Sequence, residues 1–365
     1  MNDMNQTVVK TKNETDRHCP DCDGVMDFDP KTGGLSCPYC GHTEQIPMEE
    51  EAPSKAQELD FFEAENTANC DWGVEKKTVI CKACAAETIY DALQTSGVCP
   101  FCGSNQVMEA STERTIAPGG VVPFQISDKQ ASVNFHGWIK RKWFCPKLAK
   151  ESAKPKAFKG IYLPYWTFDS NTFSTYTAQY GKDHRTKDED GNVETETTWY
   201  NTSGRYHEFI DDQIVLASKN HDEKILGGLE PFNTEDNKAY KPEYVAGFIS
   251  ERYSIGLKDA WNIAKSKIIH TLSGHISDKV RDEYNADHVR NVHVNADFQD
   301  ITYKYLMLPV WVSNFKYKDK MYQFMVNGQT GKVSGKTPLS IPKIILTVIV
   351  GIAAAIGIYY IKRHF

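Results

Sequence analysis

Eight of the ten cysteines fall into two sets related by a fixed offset. Cys19, Cys22, Cys37 and Cys40 recur 62 positions later as Cys81, Cys84, Cys99 and Cys102. Each set is two CxxC pairs separated by 14 residues, the spacing at which two tight turns on neighbouring hairpins close a tetrahedron of sulfurs around one ion. Pro38 and Pro100 pre-set the turn inside each second pair, and Gly41 and Gly103 follow the last ligand, where a positive φ lets backbone N–H groups approach a thiolate. Four protein ligands leave no coordination position for water or substrate, so the expected cofactors are two structural zinc ions. A rubredoxin-like iron site uses similar turns with a wider gap, which leaves iron as the alternative metal. A redox-active CxxC would open a helix in a βαβ context, and none surrounds these pairs. Cys70 and Cys145 lie outside the pattern and read as small buried side chains.

A metal reading needs a reducing compartment. Met1 to Asp16 is polar and has no apolar run of signal-peptide length, so the cysteines are expected to face the cytoplasm, where metal is favoured over disulfide. Residues 1–110 hold 20 acidic against 8 basic residues, net −12, and the remainder is +6. Such a negative module repels phosphate backbones and argues against nucleic acid as its partner.

At the other end, Ile344 to Ile361 is an uncharged run of 18 residues between Lys343 and Lys362-Arg363. At about 1.5 Å per residue it reaches roughly 27 Å, enough to cross most of a bilayer core. Tyr359 and Tyr360 sit where interfacial aromatics belong. The expectation is one transmembrane helix over 342–361, single-pass in the cell membrane, with the N-terminal bulk in the cytoplasm. Flanking charge is similar on both sides and orients it weakly.

Five units follow: a zinc ribbon over 16–47, an acidic linker over 48–68, a second ribbon over 69–110, an α+β domain over 111–337, and the membrane helix. Within the linker, Leu59, Phe61 and Phe62 read as a short helix against one ribbon. In the α+β domain, Ser127-Asp128 starts a helix through Phe135, Trp138, Ile139 and Trp143. Leu257, Trp261, Ala264, Ile268, Leu272, Ile276, Val280 and Tyr284 form one stripe of a second, longer helix. Thr-, Tyr-, Phe- and Val-rich runs bounded by Asp190-Gly191 and Asn327-Gly328 read as antiparallel strands joined by hairpin turns. Val122-Pro123-Phe124 and Leu163-Pro164-Tyr165-Trp166 bracket the first helix as Glu230-Pro231-Phe232 and Leu308-Pro309-Val310-Trp311 bracket the second. The prolines are 41 and 78 residues apart. The echo reads either as a duplicated unit or as recurrence of strand-entry prolines.

Between Trp138 and Lys159 eight basic residues face one acid, Glu151. Lys140, Arg141, Lys142, Lys147 and Lys150, interleaved with Trp143 and Phe144, suit anionic lipid headgroups; a nucleic-acid contact or a plain solvated face would read the same way. No GxSxG elbow, Walker loop, HExxH or GxGxxG motif is present, and the chain reads as a non-enzyme.

The paired CxxC…CPxCG ribbons, the Leu-Pro-x-Trp runs, the hairpin Val326-Asn327-Gly328-Gln329-Thr330-Gly331-Lys332-Val333 and the C-terminal apolar segment together resemble bacterial TFIIB-type zinc-ribbon membrane proteins of the YdjG-like group of bacilli. That resemblance implies an accessory membrane protein that recruits SPFH-domain and PspA-like partners in an envelope-stress response. The expectation is therefore a membrane-anchored adaptor or scaffold acting through protein–protein interaction, with a membrane-tethered nucleic-acid binder of the replication or helicase-accessory kind as the competing class.

Overall fold

The computed structural model describes residues 19–24, 26–47, 53–63, 76–81, 85–91, 101, 107–109, 118–151, 158–187, 193–219, 221–251, 253–317 and 320–364. Its elements are β1 (Asp27–Asp29), β2 (Gly34–Ser36), β3 (Thr43–Glu44), β4 (Leu59–Asp60), β5 (Lys76–Cys81), β6 (Glu87–Asp91), β7 (Val107–Glu109), β8 (Gly120–Val121), α1 (Asp128–Arg141), α2 (Lys147–Glu151), β9 (Lys159–Lys187) and β10 (Val193–Leu216). There follow α3 (Glu223–Gly227), β11 (Lys238–Ala239), β12 (Ile249–Ser250), α4 (Leu257–Tyr284), β13 (His288–Tyr317), β14 (Lys320–Asn327), β15 (Val333–Gly335) and α5 (Ile341–His364). The protein is thus mixed α and β around one dominant sheet, with a separate sheet β1-β2-β3 near the N-terminus.

Three long antiparallel strands set the plan, with β9 between β10 and β13. Residues 161–170 of β9 are buried without a break, and both faces are covered. On one face Tyr162, Trp166, Phe168 and Tyr305 meet Phe135 and Ile139 of α1 and Trp261 and Ile268 of α4. On the other, Leu163, Tyr165, Leu306 and Leu308 meet Ile225 and Leu226 of α3. Beyond Ser170 the strands run on as a three-stranded ribbon with alternating burial. Tyr176 and Ala178 pack on Ile276 and Val280 of α4, while Thr175, Thr177 and Gln179 face outward. Register shifts fall at three places, and Asp212, Asn291 and Asp300 supply a positive φ there. Asp and Asn tolerate that geometry better than branched residues, which lets the strands bend at the bulges.

The Leu-Pro runs are direct neighbours: Leu163 pairs with Leu308 across the β9–β13 ladder. Around that point the pairings repeat on exchange of the two halves. β8 runs parallel to β13 at Leu306 and Met307, and β12 runs parallel to β9 at Ile161 and Tyr162. Leu216 pairs with Tyr165 as Asn327 pairs with Val310. The next N–H in each case, of Ala217 and of Gly328, donates to the carbonyl of Pro164 or Pro309. The repeated unit is therefore strand, helix, strand, strand, and its second copy enters at Ile249–Ser250. Glu230-Pro231-Phe232, which the sequence suggested as the counterpart of Val122-Pro123-Phe124, lies outside that correspondence.

Both predicted helices form. Ser127 caps α1 in a capping box with Gln130, and the buried stripe of α4 runs from Ala260 to Val280. The Val326–Val333 hairpin closes with Asn327 Oδ1 accepting from the N–H groups of Gln329 and Thr330. Asp190-Gly191 lies outside the described residues, between paired strands.

The stretch read as a linker is, over residues 53–63, strapped to the sheet. Leu59–Asp60 pair with β13 as a strand rather than a helix, and Phe61 packs on Phe168 and Trp261 rather than on a ribbon. Likewise β5, β6 and β7 of the second cysteine module join the main sheet, where Ile89 pairs with Ser250 of β12.

Candidate metal centre

β1, β2 and β3 hold two cysteine turns of matching geometry. In the first, Cys19 N–H donates to Gly24 O at 2.8 Å and Asp23 N–H to Cys19 O at 2.9 Å. In the second, Cys37 N–H donates to His42 O at 2.8 Å and Gly41 N–H to Cys37 O at 3.0 Å. Each turn needs a positive φ at the fourth residue after its first cysteine, met by Asp23 (59°) and Gly41 (81°). The sequence signalled the glycine, while Asp23 fills the role through the tolerance of aspartate for this region.

The turns bring the Sγ atoms of Cys19, Cys22, Cys37 and Cys40 within 4.8 Å of one another. Cys19 to Cys40 is 3.4 Å and Cys22 to Cys37 is 3.5 Å. These separations are far beyond a disulfide bond of about 2.05 Å. They sit close to the edge of roughly 3.8 Å that a tetrahedron with metal–sulfur bonds of about 2.3 Å requires. Cys19 and Cys37 are buried; Cys22 and Cys40 are exposed.

The electrostatics suit a bound cation. Backbone N–H groups of Cys40 and Tyr39 hold the Cys37 thiol down at about 6. The N–H of His42 also favours a thiolate at Cys40, yet the neighbouring thiols and desolvation outweigh it and push Cys40 up to about 12. Four sulfurs this close cannot share negative charge without a cation among them. His42 does not add a fifth ligand: its Nδ1 lies 2.8 Å from Asp21 Oδ2 and ties the two turns together. In the sequence His42 adjoins the last cysteine, but its pairing with Asp21 is not legible there.

The centre is fixed to the main domain. Met26, Phe28 and Leu35 belong to the same core as the sheet and helices. Phe28 N–H donates to Ala246 O at 3.2 Å, its ring meets Tyr244 at 5.9 Å, and Lys241 Nζ donates to Pro47 O at 2.6 Å.

Of the second predicted set, Cys84, Cys99, Cys102 and the side chain of Cys81 lie outside the described residues, as does Cys70. Cys145 is buried. Lys140 and Arg141 end α1, Lys142 follows it, and Lys147 and Lys150 lie on α2.

Two further polar clusters lie in the main domain, and sequence spacing indicated neither. Asp169, Asp211 and Asp212 bring carboxylate oxygens together, but the Lys304 ammonium already stands there, 2.7 Å from Asp212, 3.3 Å from Glu58 and 3.9 Å from Asp169. Glu251 lies 2.5 Å from both Ser218 Oγ, which donates to it, and His221 Nε2. The carboxylate stands between hydroxyl and imidazole, so this arrangement lacks the base-to-nucleophile bond of a hydrolytic triad.

Finally, α5 carries a stretch, Ile341–Tyr360, long and apolar enough to cross a membrane, and none of it is buried against the rest of the chain. Together these features define a β-rich α/β protein with a four-cysteine cluster fixed to its main domain and, among the described residues, one candidate membrane helix. The chain is 32% identical over 337 residues to the uncharacterized protein YdjG of Bacillus subtilis (strain 168), spanning 89% of this chain and 91% of that relative. It belongs to the YdjG family. No family model matches the chain, and no solved structure does.

Proposed function

We propose that the chain is a non-enzymatic, membrane-anchored adaptor whose cysteine modules are TFIIB-type zinc ribbons. Each ribbon holds one structural zinc ion, Cys19, Cys22, Cys37 and Cys40 binding the first and Cys81, Cys84, Cys99 and Cys102 the second. The helix 342–361 spans the cell membrane once, with the N-terminal bulk in the cytoplasm. The docking of the first cysteine centre on the main domain carries this reading. A ribbon tied down by Phe28, Tyr244 and Lys241 is a rigid surface, with Tyr39 beside the centre 79% exposed. A partner that docks on a pre-ordered surface loses less conformational entropy on binding. The partner class, SPFH-domain or PspA-like proteins of an envelope-stress system, follows from the family resemblance alone.

The test uses the full chain. Two zinc ions per chain, flotation with lipid, and proteins cross-linked to it in its own membrane are expected. Absence of bound metal would sink the adaptor reading, as would tight duplex DNA binding that weakens steeply with salt, the mark of phosphate-backbone contacts.

A further inference from the structure

The start of α5 is clamped to a corner of the main domain far away in sequence. α1 ends at Arg141, and Trp143, Phe144, Cys145 and Pro146 turn the chain into α2. Cys145 and Ala149 anchor that turn in the core, each 0% exposed. From the other side, Lys343 Nζ donates to the carbonyls of Trp143 at 2.9 Å and Cys145 at 3.1 Å, and its ammonium lies 5.4 Å from the Trp143 ring centre. Ser340 N–H donates to Phe144 O at 2.8 Å.

The outer side of this corner combines two properties. Trp143 and Leu148 are 63% and 69% exposed, beside Ile341 at 69%. Around them stand Lys140, Arg141, Lys142, Lys147 and Lys150, with one acid beside them, Glu151, whose carboxylate lies 3.8 Å from Lys147. Depth follows from Lys343: an ammonium in the first turn of a spanning helix belongs at headgroup level. The corner it holds must then lie at the same level, where exposed tryptophan is favoured and each cation near an anionic leaflet adds attraction.

We propose that this corner is a lipid-docking platform. Trp143 and Leu148 enter the interfacial layer, and the five cations take the phosphates of anionic lipid headgroups. The platform fixes the main domain, and the ribbon tied to it, against the bilayer instead of leaving them on a free tether. It also supplies the orientation that the charges next to the anchor do not. Five cations brought from elsewhere in the chain join Lys343 at the near end of α5, against Lys362 and Arg363 at the far end, so the near end faces the anionic cytoplasmic leaflet. This inference rests on α5 crossing the membrane.

The test reconstitutes the full chain in phosphatidylcholine vesicles with and without phosphatidylglycerol. Trp143 is read as the fluorescence difference between the wild type and Trp143→Phe, with quenching by lipids brominated near the headgroup. Lipid quenching of Trp143 is expected with phosphatidylglycerol. The combined K140E, R141E, K142E, K147E and K150E chain is expected to raise the undocked-to-docked ratio roughly ten-fold or more, given the attraction of each cation to an anionic surface. Quenching that is equal in both lipids and unchanged by charge reversal overturns the headgroup assignment. Trp143 reached only by aqueous acrylamide, in a chain that still floats with vesicles, overturns the platform and leaves the anchor intact. A chain that does not float overturns both. Duplex DNA that shields Trp143 where bromolipid does not quench it reassigns the surface to nucleic acid.

Discussion

Trp166 donates its indole N–H to the carbonyl of Ile255 at 2.9 Å, two residues before α4 begins. Its counterpart in the other half, Trp311, donates to Ile126 at 3.1 Å, two residues before α1. Each Leu-Pro-x-Trp run thus ties its strand to the helix entry of the opposite copy. Replacing either tryptophan with phenylalanine keeps most of the apolar area and strands one carbonyl. The expected loss is about 1–3 kcal/mol, larger at Trp166, which is 0% exposed, than at Trp311, which is 7% exposed. Denaturant unfolding of the full chain in detergent checks both, and equal stability of wild type and Trp166→Phe would remove the bond's energetic role.

That relationship shows which parts of the fold were legible in the sequence. The Leu-Pro-x-Trp echo was visible, but its first half was matched on the Pro-Phe dipeptide, which the entry strand of the second copy, Ile249–Ser250, does not carry. Pro164 and Pro309, strand entries in the alternative to a duplicated unit, both lie inside long strands. Each falls where the flanking strand changes: β12 pairs up to Tyr162 and β10 begins at Tyr165, as β8 pairs up to Met307 and β14 begins at Val310. A missing N–H there deprives no partner. The cysteine turns were legible because their geometry is local. The docking of the first cysteine centre was not, because it depends on single residues such as Phe28 and Lys241 meeting distant surfaces. The basic corner was likewise visible as composition, while its place at the foot of α5 depends on contacts from Lys343 back to Trp143 and Cys145.

Changing Cys37 and Cys40 to serine removes two of the four sulfurs that the turns bring together. Metal content per chain is expected to fall by one ion, and the region around Phe28 and Leu35 to become open to protease, because binding free energy on the order of 10 kcal/mol holds such a module folded. Flotation with membranes should be unchanged, since α5 lies at the other end. Elemental analysis with limited proteolysis reads the first effect and flotation the second; loss of flotation would show that the two ends do not act separately.

Lys304 is nearly buried and stands among Asp212, Glu58 and Asp169. Burial would lower its pKa, but the bond and charge of Asp212, with Asp169 and Glu58, outweigh that and raise it. Lys304→Met leaves Asp212 and Asp169 uncompensated, with an expected cost of about 3–5 kcal/mol. Adding Asp212→Asn should recover part of that loss, although Asp212 also accepts from Thr234 Oγ1 at 2.6 Å. A double-mutant cycle by denaturant unfolding measures the coupling, and additive losses would mean that the pair does not interact.

Asp169 gives a prediction in pH. Burial raises its carboxyl to about 6, against the pull of the Asp212 N–H and of Lys304, from an ordinary value of 3.8. A carboxyl raised by folding binds its proton more tightly in the folded chain, so its contribution to stability is complete below about 3.8 and is lost as pH rises through about 6. Asp169→Asn has no such proton to release. The stability of the wild type relative to Asp169→Asn should therefore increase as pH falls from 7 towards 4, with most of the change between 6 and 4. Taking the difference between the two chains cancels the other raised carboxyls, Glu230 and Asp27, and any acid loss of metal from the cysteine centre. Thermal unfolding of both chains across that range decides it. A difference that stays flat, or that grows as pH rises, would mean that Lys304 and the Asp212 N–H overcome burial and keep Asp169 ionised throughout.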